Sequence, residues 1–177
     1  MARCTESVMR VALMGAALVV TTACSSSSNI SSASPSAATP AQAVAGGCGS
    51  TTIYRGPVPA WVDDAGAHNN PDGLPYVIAS PADVAGFVFG YPLRAGHPEN
   101  PSNKILWVVR LPRNGSDLII AAHPLDAASP TVSVVQPANS SPGEIYPSIV
   151  DVPMPGCWHL DLRWAGHEAG VDLTFAT

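Results

Sequence analysis

Residues 155–176 read "PGCWHLDLRWAGHEAGVDLTFA". Trp158, Leu160, Leu162 and Trp164 occupy alternate positions, and Cys157, His159, Asp161 and Arg163 take the positions between them. A period of two belongs to a β-strand with one face on a core and the other toward water. Val171, Leu173 and Phe175 repeat the pattern against Asp172 and Thr174. The two runs are expected to pair as a C-terminal hairpin through residues 165–170.

Working outward, similar apolar runs occur at residues 86–91, 104–111, 117–123, 131–136 and 148–152, separated by segments rich in Gly, Pro and Asn. Seven short strands with such turns predict an all-β domain, a single antiparallel β-sandwich of immunoglobulin-like architecture over residues 47–177. Residues 105–111 and 118–122 are apolar on both faces and are expected mid-sheet. No helical period is visible, and 18 prolines oppose one. Residues 51–81 read as loops around one or two short strands, with Trp61 and Tyr76 pinning them to the body.

The N-terminus has a different character. Arg3 and Arg10 precede an apolar or small run from Val11 to Val20, too short to cross a hydrocarbon core of ~30 Å but suited to an export signal. Thr21-Thr22-Ala23-Cys24 follows and resembles a bacterial lipobox, although Thr21 stands where an aliphatic residue is usual. The expectation is a lipoprotein signal peptide over 1–23, with lipid on Cys24. The plainer alternative is a secretory signal with an incidental cysteine. Residues 24–46 are rich in Ser, Ala, Thr and Pro, carry no charge, and read as a disordered tether.

Cys157 could be a nucleophile, a metal ligand, a buried thiol or half of a disulfide. Export narrows the choice. Cys4 leaves with the signal and Cys24 takes lipid, so Cys48 and Cys157 remain in an oxidising compartment, where they are expected to form a bridge. An immunoglobulin domain carries its bridge across the core, on the face of its tryptophan. Cys157 has the opposite parity to Trp158, so its bridge should instead tie the N-terminal loops to a strand entrance.

Loss of residues 1–23 removes Arg3, Arg10 and Glu6 from 8 basic and 13 acidic residues, leaving 6 and 12, a net charge near −6. Lys104 is the sole lysine. Such a surface is a poor partner for nucleic acid or anionic headgroups, so any membrane attachment should come from the lipid.

"NKILWVVRLPR" (103–113), "SSPGEIYPSIVDVP" (140–153) and "GCWHLDLRW" (156–164) together resemble uncharacterised actinobacterial, mycobacterial-type envelope lipoproteins with a C-terminal Gly-Cys-Trp strand. The resemblance covers about residues 76–177. It implies an exported or anchored β-domain and carries no catalytic residues.

Three constellations remain. His159, Asp161 and Arg163 share a strand face with Asp172 across the hairpin and His167 near its turn, a possible zinc or copper set. No tight His-x-His or His-x₃-His spacing supports ligation, and an exposed sheet face with weak ion pairs accounts for the pattern. There is no Gly-x-Ser-x-Gly, Ser116 belongs to an Asn-Gly turn, and His97 and His123 each precede a proline. "DDAGAHNNPDG" (63–73) is oxygen-rich, as calcium loops are, but it lacks EF-hand spacing and the terminal Glu; it reads as a polar loop, with calcium as the lesser alternative. The expectation is therefore a lipid-anchored envelope protein whose β-sandwich is a non-catalytic binding or structural module, with no cofactor and no metal. Its partner would be an envelope protein or a small ligand. The alternative is a hydrolase or metal-binding domain on the His159/Asp161 face.

Overall fold

The computed structural model describes residues 39–96 and 103–177. The signal segment, Cys24, most of the tether and His97 lie outside the described residues. Among the described residues, ten strands form two antiparallel sheets. One has six strands in the order β1 (Gln42–Val44), β2 (Ile53–Arg55), β3 (Tyr76–Ile78), β4 (Val84–Val88), β5 (Lys104–Val109), β8 (Ile145–Ile149). The other has four, in the order β10 (His167–Phe175), β9 (Gly156–Trp164), β6 (Leu118–Pro124), β7 (Val132–Gln136). The expected all-β sandwich is the observed architecture.

The sheets meet through the apolar parity of each strand. Trp158, Leu160 and Leu162 of β9 and Leu173 and Phe175 of β10 pack against Ile105 and Trp107 of β5 and Tyr146 of β8. At about 25 cal/mol per Å² of apolar surface, burial of these aromatics is the main source of stability. Each polar tip finds an acceptor. Trp107 Nε1 donates to Ser148 Oγ at 2.8 Å, Trp158 Nε1 to the Met154 carbonyl at 3.0 Å, and Tyr146 Oη to the Ser116 carbonyl at 2.6 Å. An unmade bond at any of these would cost about 1–3 kcal/mol.

Several boundaries differ from the sequence reading. The tether does not run to residue 46, because Gln42–Val44 pairs with Ile53–Arg55 and Val44 packs on the core. The C-terminal hairpin turns on Ala165 and Gly166 alone, at φ 45° and 81°. Two successive positive φ values make the tight turn whose twist matches the strands, so β10 begins at His167. The strand expected at 148–152 is Ile145–Ile149, with Pro147 inside it. β8 pairs only with β5, so the missing N–H of Pro147 is tolerated on its unpaired side.

The two sheets treat their outer faces differently. Outside the six-stranded sheet, Val62, Tyr76, Ala85, Phe87 and Val108 form a second apolar cluster, with Trp61 packed on it. The cover is the segment after β2, which contains the short helix α1 (Ala60–Val62) and a π-type turn, Asp63–Ala67. Asn70 locks it, donating to the Gly56 and Leu74 carbonyls and accepting from Leu74 N–H. The oxygen-rich loop is thus part of a lid over the sheet, as the pinning role expected of Trp61 and Tyr76 requires. Outside the four-stranded sheet, Ile119 of β6 is 46% exposed and Val135 of β7 is 54% exposed. β6 does lie mid-sheet, but its outer apolar residue faces solvent.

β10, an edge in its own sheet, is not left bare. Ser80 exchanges both backbone hydrogen bonds with Gly170, Thr174 N–H donates to the Gly46 carbonyl, and Ala176 N–H donates to the Leu93 carbonyl. Loops of the larger sheet therefore close the sandwich on this side and shield the edge.

Candidate functional site

The outer face of the four-stranded sheet carries most of the residues that the sequence singles out. Strand register sets them in rows. His123 of β6 lies opposite His159 of β9, and His159 lies opposite Asp172 of β10. One row nearer the hairpin turn, Ala121, Asp161 and Gly170 align, and beyond them Ile119, Arg163 and Glu168.

The His159 row ends in a polar knot. His159 Nδ1 lies 2.6 Å from Asp172 Oδ1, and a nitrogen this close to a carboxylate carries the hydrogen. Asp172 Oδ2 accepts from Ser50 N–H at 3.1 Å and from Ser50 Oγ at 3.4 Å. The Asp172 backbone N–H donates to Thr51 Oγ1 at 2.8 Å, and its carbonyl accepts from Cys48 N–H. The loop so gripped is the one that Cys48 anchors. Cys48 and Cys157 are disulfide-bonded, with Cα atoms 5.9 Å apart. The bridge joins the N-terminal loop to the entrance of β9, on the face opposite Trp158. Cys157 is thus neither a nucleophile nor a metal ligand.

Two glycines make room for this arrangement. A Cβ on Gly49, whose φ is +54°, would lie 2.3 Å from Asp172 Oδ2. A Cβ on Gly170 would lie 2.9 Å from His159 Cε1, so the imidazole rests on bare backbone.

Asp172 is buried, and burial alone would raise its pKa. The hydrogen bonds from His159 and Ser50 outweigh that and hold the carboxyl below its ordinary value. A depressed native pKa means that this contribution is fully present above the unfolded value of ~3.9 and is lost as pH falls through the native one. Asp172→Asn should cost about 1–3 kcal/mol at neutral pH. The deficit against the parent should shrink as pH drops below ~3.9. Urea unfolding of both proteins across that range checks this, and a deficit independent of pH would contradict it.

Beyond the knot the side chains are less committed. His159 Nε2 is 3.6 Å from Asp161 Oδ1, and Arg163 is 3.7 Å from Asp161 and 3.8 Å from Glu168. These distances fall within ion-pair range but outside hydrogen-bond range. Arg163 separates two shallow grooves. One, of about 700 Å³, spreads over Ile119 toward Asn114, Asp117 and the Ala165–Gly166 turn. The other, of about 380 Å³, lies between His159 and Ser80.

Of the expected set, His159, Asp161, Arg163 and Asp172 are together as their alternation requires. His167 is not with them. It has the parity of Trp164 and packs against that indole, with ring centroids 5.5 Å apart. His123, which the sequence leaves as a strand-end residue, stands beside His159 with centroids 5.4 Å apart. Only the β6–β9 register could have revealed it. Among the described residues, no three His, Cys, Asp or Glu side chains are placed to hold a metal ion, and no helix is long and apolar enough to cross a membrane.

No protein-family model matches the chain, and neither the curated proteins nor the solved structures yield a match.

Proposed function

We propose that this chain is an exported, actinobacterial-type cell-envelope lipoprotein, held by lipid on Cys24 at the outer face of the cytoplasmic membrane. Its β-sandwich is a non-catalytic module that binds an envelope component through the outer face of the four-stranded sheet. One observation carries the binding half. A lid covers the middle of the larger sheet's outer face and leaves Phe89 and Ile149 exposed at its margin, while the smaller sheet has no such cover among the described residues and presents Ile119, Val135 and a groove of about 700 Å³ beside Asp161, Arg163 and Glu168. Exposed apolar residues beside convergent polar groups are the usual marks of a recognition surface. The Cys48–Cys157 bridge supports export, since such bonds persist in oxidising compartments. The basic start, apolar run and Ala23-Cys24 support the anchor.

The hydrolase alternative draws on the His159–Asp172 pair, which resembles two members of a catalytic triad. Among the described residues, no hydroxyl is hydrogen-bonded to His159 Nε2. Asp172 is also engaged in holding the Ser50 loop, which favours a structural role for the pair.

Cys24→Ser tests both halves of the proposal. The full chain should leave the membrane fraction or keep its signal uncleaved, whereas a mutant that is processed and still fractionates like the parent removes the anchor. The lipid-free protein should still sediment with isolated envelope fragments. Adding Ile119→Lys, on an exposed position, should cut that sedimentation several-fold without changing the melting temperature. Undiminished sedimentation would remove this face as the binding surface.

A further inference from the structure

We infer that the groove along β9 and the β9–β10 turn takes a neutral, hydroxyl-rich saccharide segment. This rests on the reading of the outer sheet face as a binding surface and names the chemistry of what it binds. The two depressions on either side of Arg163 share Arg163 and Glu168. Together they make an open, elongated trough rather than a closed apolar cavity. A chain of rings lying along the sheet suits that shape better than a compact ligand.

The lining points the same way. Arg163 stands 3.7 Å from Asp161 and 3.8 Å from Glu168, too far to hydrogen-bond either carboxylate directly. The hydrogen on His159 Nδ1 leaves Nε2 as an acceptor in the neutral ring, and it faces a second acceptor, Asp161 Oδ1, at 3.6 Å. A hydroxyl donates and accepts at once, so sugar hydroxyls can donate to Asp161 or His159 Nε2 while accepting from the fork of Arg163. Charge excludes the stronger ions. Asp117, Asp161 and Glu168 against the one guanidinium repel phosphates and uronates, and Arg163 already fills the place between Asp161 and Glu168 where an ammonium would pair with both. Ile119, with Val135 beside it across β6–β7, supplies an aliphatic strip for the C–H face of a ring.

The test is an array of defined neutral, anionic and amino oligosaccharides with a trilysine peptide, probed with the full-length protein in detergent. Calorimetric titration with maltohexaose and xylohexaose follows, using the parent and an Asp161→Asn/Glu168→Gln variant. The inference expects neutral oligosaccharides to be retained over charged ones. It also expects at least a tenfold loss of affinity in the variant, with the melting temperature unchanged. Retention of trilysine alone, no retention of any neutral oligosaccharide, or equal affinity in the variant would each overturn it. If envelope sedimentation still depends on Ile119 in those cases, the binding face stands and only the ligand class is wrong. If it does not, the binding reading fails as well.

Discussion

Cys157→Ser is expected to lower folding stability by about 2–5 kcal/mol and the melting temperature by roughly 10 °C. The bridge spans a sequence separation of 109 residues, for which the chain-entropy model gives ~4–5 kcal/mol. The native knot adds to the effect. Cys48 N–H, Ser50 and Thr51 all bond to Asp172, so the untethered loop takes its hydrogen bonds with it when it opens. Cys48→Ser should match Cys157→Ser, and the double mutant should cost little more than either, because one bond is lost in all three. Additive losses would mean that the cysteines act separately.

Gly86→Val in β4 should be similarly damaging, at about 1–3 kcal/mol or more, measured by urea unfolding. Even a single Cβ there would lie 2.5 Å from Trp107 Cζ3 and 2.8 Å from Cε3, with Val77 Cγ1 at 3.1 Å. Trp107 cannot step aside, since it is fully buried and its Nε1 is bonded to Ser148. Gly170→Ala makes the contrast. Its Cβ would meet the edge of a half-buried imidazole that can swing outward, so it should weaken the His159–Asp172 pair while sparing the core. If Gly86→Val is neutral, the packing of Trp107 on β4 is not as described.

How legible this was depended on the range of the interaction involved. The hairpin from Cys157 to Phe175 could be read directly, because parity along one strand fixes which side chains share a face. The disulfide followed from the expected export and from the count of cysteines left to pair. The lid over the larger sheet showed only as Trp61 and Tyr76 in a loop-like stretch, since nothing local says that Phe87 and Val108 will need covering. Gly86 reads as an ordinary strand residue until Trp107 is set opposite it. His123 joins His159 through a register between strands that lie far apart in sequence, and the grip of Ser50 and Thr51 on Asp172 spans 122 and 121 residues. Gln42–Val44 was hidden for another reason: its composition is that of the tether, and only pairing with Ile53–Arg55 makes it a strand.

The most direct test asks which surface of the protein meets the proposed envelope partner. A photo-crosslinking residue is placed at Ile119, on the outer face of the four-stranded sheet, or at Phe89, at the end of β4 in the other sheet. The two are 46% and 45% exposed, so accessibility is matched. Irradiating cells that carry the full-length chain should give adducts to envelope material from position 119 and only background from position 89. Equal yields from both positions, or adducts from 89 alone, would contradict the claim that the open sheet face is the working surface.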